Sequence, residues 1–246
     1  LDSWPMNLET NHNSVCLVTG GSSGIGLATA LLFAEKGYEI AICGRRESNL
    51  LEAKRAIDAV LGGRECFAMV ADLGNTEQAV EVAEKTLNRF GRIDLLVNNA
   101  AASPLSPFHE ISPEVFETTI NTNVRSLFYL TQAIWKKMRE QGAGVIVNIS
   151  SLSAVDPFDG LGFYGACKAW MDLMTQALAK EGSELGLRVC SIRPGAVETP
   201  MLRRLFPDFP SEQCVQPRAI AEAVWGCVAE PESYPSGEAF TVTDQS

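Results

Sequence analysis

Short apolar segments that are typical of β-strands alternate with helical patterns along nearly the whole chain. Several of these segments are continuously apolar, as expected of parallel strands that are buried on both faces. The strand segments are residues 15–19, 39–43, 66–71, 95–98, 145–149, 188–192 and 239–242. Helical patterns occupy residues 24–36, 77–90, 112–142, 164–178 and 217–228. The alternation predicts an α/β fold, a doubly wound parallel sheet of about seven strands with helices on both faces.

The length of 246 residues suits one such domain better than two small ones. Residues 1–12 lack the basic and apolar regions of a signal peptide, and no apolar run reaches about 18 residues. We expect a flexible N-terminal tail over residues 1–12, a single domain over residues 13–246, and no membrane span.

The net charge and the cysteines indicate which classes of partner and which cellular compartment to expect. The net charge of −10 argues against binding to nucleic acid or to an anionic membrane, because both require a basic face. Four of the seven cysteines lie inside apolar, strand-like runs: Cys16, Cys43, Cys66 and Cys190. Buried, reduced thiols in a cytoplasmic protein are the favoured interpretation, with a zinc site or a disulfide framework as the alternative. No metal site is expected at His12 or His109, since neither has a partner at ligand spacing.

A glycine cluster follows the first predicted strand and leads directly into a helix. Residues 19–26 read TGGSSGIG, with the glycine spacing G-x-x-x-G-x-G. In a strand–turn–helix unit, such glycines allow a tight turn, a close approach to phosphate and close packing of the helix on the sheet. We expect this loop of a Rossmann-like fold to bind a dinucleotide, and a glycine-rich turn without ligand is the alternative. The expected contacts are Gly20, Ser22, Ser23, Gly24, Ile25 and Gly26.

The end of the second predicted strand indicates which dinucleotide binds. An acidic residue often holds the adenosine ribose there, but this chain has Gly44 followed by Arg45 and Arg46. A guanidinium can pair with a 2′-phosphate that a carboxylate would repel, so NADP(H) is favoured over NAD. The alternative is that both arginines only solvate the surface. Asp72 and Leu73, after the third strand, are expected at the adenine.

A tyrosine and a lysine share one helical face in the second half of the chain. Tyr164 and Lys168 are separated by one helical turn, and Ser151 precedes Tyr164 by 13 residues. With these residues the chain resembles the classical short-chain dehydrogenases/reductases from about residue 14 to residue 243. The resemblance rests on motifs that occur in the family's order: TGxxxGxG at residues 19–26, Asp72, Asn98-Asn99-Ala100, Asn123, Ser151, Tyr164, Lys168 and Pro194-Gly195.

The resemblance implies catalytic roles for four residues. Tyr164 would be the general acid/base, and Lys168, together with the nicotinamide cation of the oxidised complex, would lower the pKa of Tyr164. Lys168 would also bind the nicotinamide ribose. Ser151 would donate to the substrate oxygen. Asn123, in mid-helix, would mark a backbone distortion that binds a water linking Lys168 to solvent.

The resemblance also implies contacts to the nicotinamide half of the cofactor. The expected contacts are Asn99, Ala100, Tyr164, Lys168, Pro194, Gly195, Val197 and Thr199. Ala101 stands where the family often has glycine, which puts a positive-φ backbone there in doubt.

The expected substrate pocket is mostly apolar and lies over the carboxyl ends of the strands. Its expected contacts are Ser151, Phe158, Phe163, Tyr164 and Met201. Arg203 and Arg204 could meet an anionic tail of the substrate or could be solvated.

The function expected from the resemblance is that of an NADPH-dependent oxidoreductase that reduces a ketone or aldehyde to an alcohol. One alternative is a sensor or scaffold that binds NADP(H) without turnover, and the other is an alcohol dehydrogenase working in the oxidative direction. The family is usually dimeric or tetrameric, so a homodimer or homotetramer is expected, assembled through helices near residues 112–142 and 164–181.

Overall fold

The computed structural model describes residues 14–243, and these residues contain seven β-strands in one fully parallel sheet. The strands are β1 (Val15–Thr19), β2 (Glu39–Gly44), β3 (Phe67–Val70), β4 (Leu95–Asn98), β5 (Gly144–Ile149), β6 (Leu187–Pro194) and β7 (Ala239–Val242). Their order across the sheet is β3-β2-β1-β4-β5-β6-β7. This arrangement confirms the predicted doubly wound fold. The predicted tail and His12 lie outside the described residues.

Eight α-helices connect the strands within residues 14–243. They are α1 (Gly24–Glu35), α2 (Glu47–Val60), α3 (Thr76–Phe90), α4 (Pro113–Ile120), α5 (Ser126–Gln141), α6 (Gly162–Gly182), α7 (Pro200–Leu205) and α8 (Pro217–Ala229). The sequence analysis missed α2, although its buried face repeats with helical spacing at Leu50, Ala53 and Ile57. The short α7 was also missed.

Alternate residues of the strands enter two separate hydrophobic cores. In β1, Val18 packs in the core beneath α1, α2 and α8, whereas Leu17 packs in the core beneath α3, α5 and α6. Ile42 and Ala41 divide in the same way in β2. Because successive strand side chains point to opposite faces, a sheet covered on both sides requires apolar residues at every position.

The long helix predicted over residues 112–142 is interrupted in the middle. A π-helical turn, Asn121–Arg125, separates α4 from α5 and contains the buried Asn123. π-turns inside helices are rare and are frequently found at functional sites. The structure therefore contains a backbone distortion at Asn123, as the family resemblance implied.

The adjacent strands β1 and β4 are tied together at their carboxyl ends. The Thr19 hydroxyl accepts hydrogen bonds from the main-chain N–H groups of Asn99 (2.9 Å) and Ala100 (3.0 Å). Asn99 Nδ2 donates in return to the carbonyl oxygens of Thr19 (2.8 Å) and Gly20 (3.2 Å). The strand order changes direction between β1 and β4, and a crevice is expected at such a switch point.

The side chains of all seven cysteines are buried. Within residues 14–243, no group of three or more His, Cys, Asp or Glu side chains is arranged to hold a metal ion. None of the helices in this part of the chain combines the length and the apolar character needed to cross a bilayer.

Gly26 is required by a close approach between α1 and the loop that precedes it. A Cβ atom at this position would lie 2.3 Å from the Gly20 carbonyl oxygen and 2.5 Å from Asn99 Nδ2. We expect Gly26→Ala to lower the free energy of unfolding by about 1–3 kcal/mol, as overpacking typically does. Urea denaturation would measure the change. The control is Gly162→Ala, where no atom lies within 4 Å of the added Cβ. Equal stability of the two variants would contradict the close approach.

Candidate active site

A cleft of about 890 Å³ opens at the carboxyl ends of the strands, beside the switch point. It brings together 20 residues that the sequence analysis singled out as site residues. They are Gly20, Ser22, Ser23, Gly24, Ile25, Arg45, Arg46, Asp72, Leu73, Asn99, Ala100, Ser151, Phe158, Tyr164, Lys168, Pro194, Gly195, Val197, Thr199 and Met201. Gly26, Asn123 and Phe163 are not part of its lining.

The loop between β1 and α1 presents its backbone to the cleft. Gly24 has a φ of +54°, a conformation that L side chains rarely adopt. Ser23 occupies the N-cap position of α1, but its side chain makes no capping hydrogen bond. The first N–H groups of α1 are therefore left without a capping side chain, which suits an anionic group such as a pyrophosphate.

Arg45 and Arg46 lie exposed at the rim of the cleft, immediately after β2. Among the described residues, neither guanidinium has a hydrogen-bonded or ion-paired partner, although the Arg46 carbonyl oxygen accepts from the Leu50 N–H at 3.0 Å. A Cβ at Gly44 would stand 3.1 Å from Ser22 Oγ, so a side chain at this position would crowd the glycine loop. The structure thus leaves two guanidinium groups, and no carboxylate, at the end of β2.

Asp72 forms part of a turn at the end of β3. Its Oδ1 accepts a hydrogen bond from the Gly74 N–H (2.9 Å), while its own N–H donates to Gln78 Oε1 (2.8 Å). The side chain is exposed on the cleft, and the neighbouring Leu73 is buried.

Ser151, Tyr164 and Lys168 meet on the other side of the switch point. The Ser151 side chain lies beside the Tyr164 hydroxyl, and its Oγ accepts from the Ser153 N–H at 3.1 Å. Lys168 is buried, and its Nζ donates to the Ile149 carbonyl oxygen at 2.6 Å. The same Nζ lies 5.6 Å from the centroid of the Tyr164 ring. Helix α6 and the end of β5 therefore present a hydroxyl, a phenol and an amine to the cleft.

Burial dominates the protonation of both ionisable groups. Burial raises the pKa of Tyr164 well above its usual value, and the neighbouring Ser151 hydroxyl only partly opposes this effect. In the protein without cofactor, desolvation of the phenolate is the largest effect on the pKa of Tyr164. The expectation that Lys168 and a nicotinamide cation together lower this pKa concerns the oxidised complex and stays a prediction. Burial lowers the pKa of Lys168 to about 8, against the opposing charge of Asp172.

Asp172 is held by two groups on β6. Its Oδ1 accepts from Ser191 Oγ (2.6 Å), and its Oδ2 pairs with Arg193 Nε (2.6 Å). The negative charge of the buried Asp172 is therefore compensated by Arg193 and by the Ser191 hydroxyl.

Asn123 supports the cleft from behind. Its Oδ1 accepts from the Ala102 N–H (3.1 Å), and its Nδ2 donates to the Ala102 carbonyl oxygen (2.7 Å). The side chain thus fixes the loop after β4 that lines the cleft. In that loop Ala101 has a negative φ, since no described residue other than glycine has a positive one. The family's frequent glycine is therefore not needed at this position.

The segment after β6 forms the remaining wall on the cofactor side. Pro194, Gly195, Val197 and Thr199 line the cleft. Thr199 Oγ1 accepts from the Leu202 N–H (3.2 Å) and so caps α7. A Cβ at Gly24 would stand 2.9 Å from Thr199 Cγ2, so this segment reaches the glycine loop.

The substrate side of the cleft is mostly apolar, but one predicted residue points elsewhere. Phe158 and Met201 line the cleft as predicted. Phe163 does not, because its ring stacks on that of Phe116 with centroids 5.1 Å apart. Arg203 is paired with Glu198, which leaves Arg204 as the exposed arginine on this wall.

One set of lining residues was not predicted from the sequence. It lies on α4 and the following π-turn: Glu114, Val115, Thr118, Thr119 and Thr122. The spacing of one, three, one and three residues puts them on one helical face, and this stripe was the available signal.

Comparison with known proteins identifies the family. The family described as short chain dehydrogenase matches residues 14–209, which is most of the chain. The chain belongs to this family. As a short chain dehydrogenase, the protein is an oxidoreductase that acts on CH–OH or C=O groups with a nicotinamide cofactor.

Characterised relatives of this short chain dehydrogenase include reductases of oxoacyl groups. The 3-oxoacyl-(acyl-carrier-protein) reductase of Thermotoga maritima is 32% identical over 245 residues, covering 96% of this chain and 98% of the relative. Among solved structures, actinorhodin polyketide ketoreductase with NADPH superimposes with a TM-score of 0.86 at 28% identity, covering 95% and 97% of the two chains. The 3-ketoacyl-(acyl-carrier-protein) reductase from Brucella melitensis, complexed with NADH, gives 0.83 at 29% identity, covering 93% and 96%.

The depressed pKa of Lys168 has a consequence for stability. Because the pKa falls from 10.5 to about 8 on folding, the folded protein binds fewer protons than the unfolded chain between these pH values. Lys168 should therefore add to the free energy of unfolding as pH rises across this window, by about 3 kcal/mol at most, and Lys168→Met should lack this contribution. The buried thiols Cys43 and Cys66, whose pKa values are raised, act in the opposite direction above about pH 9, but they do so in both proteins.

Urea unfolding of both proteins at steps from pH 7.5 to pH 10.5 would measure the difference. Lys85→Met, at an exposed lysine on α3, controls for the loss of an ammonium group. Parallel stability curves for the wild type and Lys168→Met would show that burial does not depress the pKa of Lys168.

Proposed function

We propose that the protein is an NADPH-dependent carbonyl reductase that converts a ketone or aldehyde to an alcohol. The observation that carries the proposal is the meeting of Ser151, Tyr164 and Lys168 at one wall of a cleft. The glycine loop and two unpaired arginines occupy the opposite wall. Relatives that reduce oxoacyl and polyketide substrates support the reductive direction.

The cofactor would lie across the switch point, with its adenosine half near β2 and its nicotinamide half near β6. The N–H groups at the start of α1 would hold the pyrophosphate, and Arg45 and Arg46 would pair with the 2′-phosphate. Asp72 and Leu73 would border the adenine. Asn99, Ala100 and residues 194–199 would contact the nicotinamide half, and Lys168 its ribose. When bound, NADPH supplies the hydride that reduces the carbonyl carbon.

The chain's own residues would manage the proton. Ser151 would donate a hydrogen bond to the substrate oxygen and orient the carbonyl. The raised pKa of Tyr164 keeps its phenol protonated near neutral pH, so Tyr164 can deliver its proton to the developing alkoxide. With a pKa of about 8, Lys168 is mostly protonated at pH 7 and would stabilise the phenolate that remains. Asn123 would serve by fixing the π-turn, at which we place a water that relays protons to Lys168.

Two alternatives use the same cleft. An alcohol dehydrogenase would need the Tyr164 phenolate as a base, and the positive charge of an oxidised nicotinamide and of Lys168 would favour that phenolate. A sensor or scaffold that binds the cofactor without turnover would not require Ser151, Tyr164, Lys168 and Asn123 together. Oxidation of NADPH in the presence of a panel of ketones and aldehydes separates the reductase from the sensor.

Assembly and location are further parts of the proposal. Phe116, Tyr129 and Leu173 are exposed apolar side chains on α4, α5 and α6, and they support a homodimer or homotetramer formed through these helices. The buried cysteines support a reducing compartment, for which we propose the cytoplasm. The substrate would be a small carbonyl compound rather than a nucleic acid or a membrane lipid surface.

Replacing Tyr164 with Phe removes the proposed proton donor without changing the shape of the cleft. We expect Tyr164→Phe to lower kcat by about 100- to 10,000-fold, because general acid catalysis contributes on this scale. NADPH binding should be nearly intact. The test is the rate of NADPH oxidation with a ketone, together with a fluorescence titration of NADPH. Tyr38→Phe, at a buried tyrosine packed on Phe33, is the matched control. Full activity of Tyr164→Phe would remove Tyr164 from the mechanism.

Replacing Arg45 with Ala tests the 2′-phosphate contact. We expect the Kd for NADPH to rise by about 10- to 100-fold, as the loss of a charge-assisted hydrogen bond predicts, with little change in the Kd for NADH. Arg55→Ala, at an exposed arginine on α2 outside the cleft, is the control. If Arg45→Ala weakens both cofactors equally, Arg45 does not recognise the phosphate.

A further inference from the structure

The segment between β6 and α8, residues 195–216, is closed at its base and is called the lid below. Val197 and Val215 form an isolated parallel β-bridge, and both side chains are buried. The Val215 N–H donates to the Ala196 carbonyl oxygen at 2.8 Å, and the Glu198 N–H donates to the Val215 carbonyl oxygen at 3.0 Å. The two ends of the lid are therefore fixed to one another.

Arg203 joins the parts of the lid that the bridge does not reach. Its Nε donates to Glu198 Oε1 at 2.7 Å, and its Nη2 pairs with Glu198 Oε2. Nη1 donates to the Phe209 carbonyl oxygen at 2.5 Å, and Nη2 also donates to Ser211 Oγ at 2.7 Å. One guanidinium thus ties α7 both to the segment before it and to the loop after it, and we call this set of bonds the Arg203 clamp.

The clamp carries the apolar wall of the substrate pocket. From α7 and the loop after it, the lid contributes five large apolar side chains to the cleft, together with the exposed Arg204: Met201, Leu202, Leu205, Phe206 and Phe209. Helix α7 has only six residues, and a helix of this length is not stable by itself. Its capping by Thr199 and the Arg203 clamp are polar contacts that connect α7 to the segments on either side of it.

Glu198 also belongs to the segment that would contact the nicotinamide. It lies between Val197 and Thr199, both of which line the cleft, and Thr199 reaches the glycine loop at Gly24. The Arg203–Glu198 pair therefore joins the wall of the substrate pocket to the wall of the cofactor pocket.

We propose that Arg203 is a positioning residue that holds the lid in its closed shape before substrate binds, so that the apolar side chains of α7 stay aligned along the substrate pocket. The guanidinium of Arg203 is engaged by Glu198, by Ser211 and by main-chain oxygens of the lid, whereas the exposed Arg204 lines the cleft. The predicted effect of Arg203 on KM rests on the proposed reductase function, whereas its predicted effect on hydrogen exchange in the lid does not.

The first test needs no substrate. Hydrogen exchange measured by mass spectrometry would follow the main-chain amides of residues 200–214 in the wild type and in Arg203→Gln. We expect exchange in this segment to become at least about 10-fold faster in Arg203→Gln, with the rest of the chain unchanged, since local opening follows the loss of local contacts. Unchanged exchange in residues 200–214 would show that Arg203 does not hold the lid in place.

The matched control is Arg218→Gln. Arg218 makes a comparable two-bond pair with Glu35, at 3.0 and 2.9 Å, but this pair joins α8 to α1. Its loss should not change exchange in the lid. Arg203→Lys keeps the charge but loses the fork, so lid exchange should fall between that of the wild type and that of Arg203→Gln.

The second test separates positioning from a purely structural role. With a ketone that the wild type reduces, we expect Arg203→Gln to raise KM by about 10- to 100-fold and to change kcat by less than about 3-fold. Glu198→Gln should raise KM less, because the bonds from Arg203 to Phe209 and Ser211 remain. The double variant should be no worse than Arg203→Gln alone.

The outcomes distinguish the two proposals. A fall in kcat at unchanged KM would overturn the positioning role of Arg203. A different result is that the wild type reduces no ketone or aldehyde while Arg203→Gln shows faster exchange in residues 200–214. This result would overturn the proposed function and support the role of Arg203 in holding the lid.

Discussion

The pairing of β1 with β4 is the constraint on which the rest of the site depends. Strands β2 and β3 extend from one side of this pair and β5 to β7 from the other, so the helices that follow β1 and β4 diverge and leave a cleft. Thr19 and Asn99 fix the cleft's inner edge by exchanging hydrogen bonds across it. The glycine loop, Ser151 and residues 194–199 reach the same cleft because parallel strands end on the same side.

A second constraint is electrostatic. Burial of Tyr164 and Lys168 in the wall of the cleft disfavours the charged form of each, which raises the pKa of Tyr164 and lowers that of Lys168. The arrangement therefore supplies a protonated phenol next to an amine that titrates near neutral pH. This combination suits proton delivery to an oxygen that gains charge during reduction, and Ser151 is positioned to share that charge.

The sequence predicted those parts of the molecule that local patterns determine. All seven strands, the glycine loop and the Tyr164–Lys168 pair follow from apolar runs and residue spacing, and the distortion at Asn123 followed from the family resemblance. The remaining features depend on tertiary packing. The direction of Phe163 is set by its stacking on Phe116, and the engagement of Arg203 with Glu198 is set by the folding of the lid. Neither contact leaves a periodic signal in the sequence. Helix α2 does leave one, in its apolar residues at helical spacing, but it was not predicted.

The central claim is that the cleft is built for NADPH, with the glycine loop and Arg45 acting together. Its most direct test is a fluorescence titration of the unmodified protein with NADPH and, separately, with NADH. We expect NADPH to bind with a Kd in the micromolar range and NADH to bind much more weakly. A preference for NADH would contradict the role of the arginines after β2, and binding of neither cofactor would contradict the whole account of the cleft.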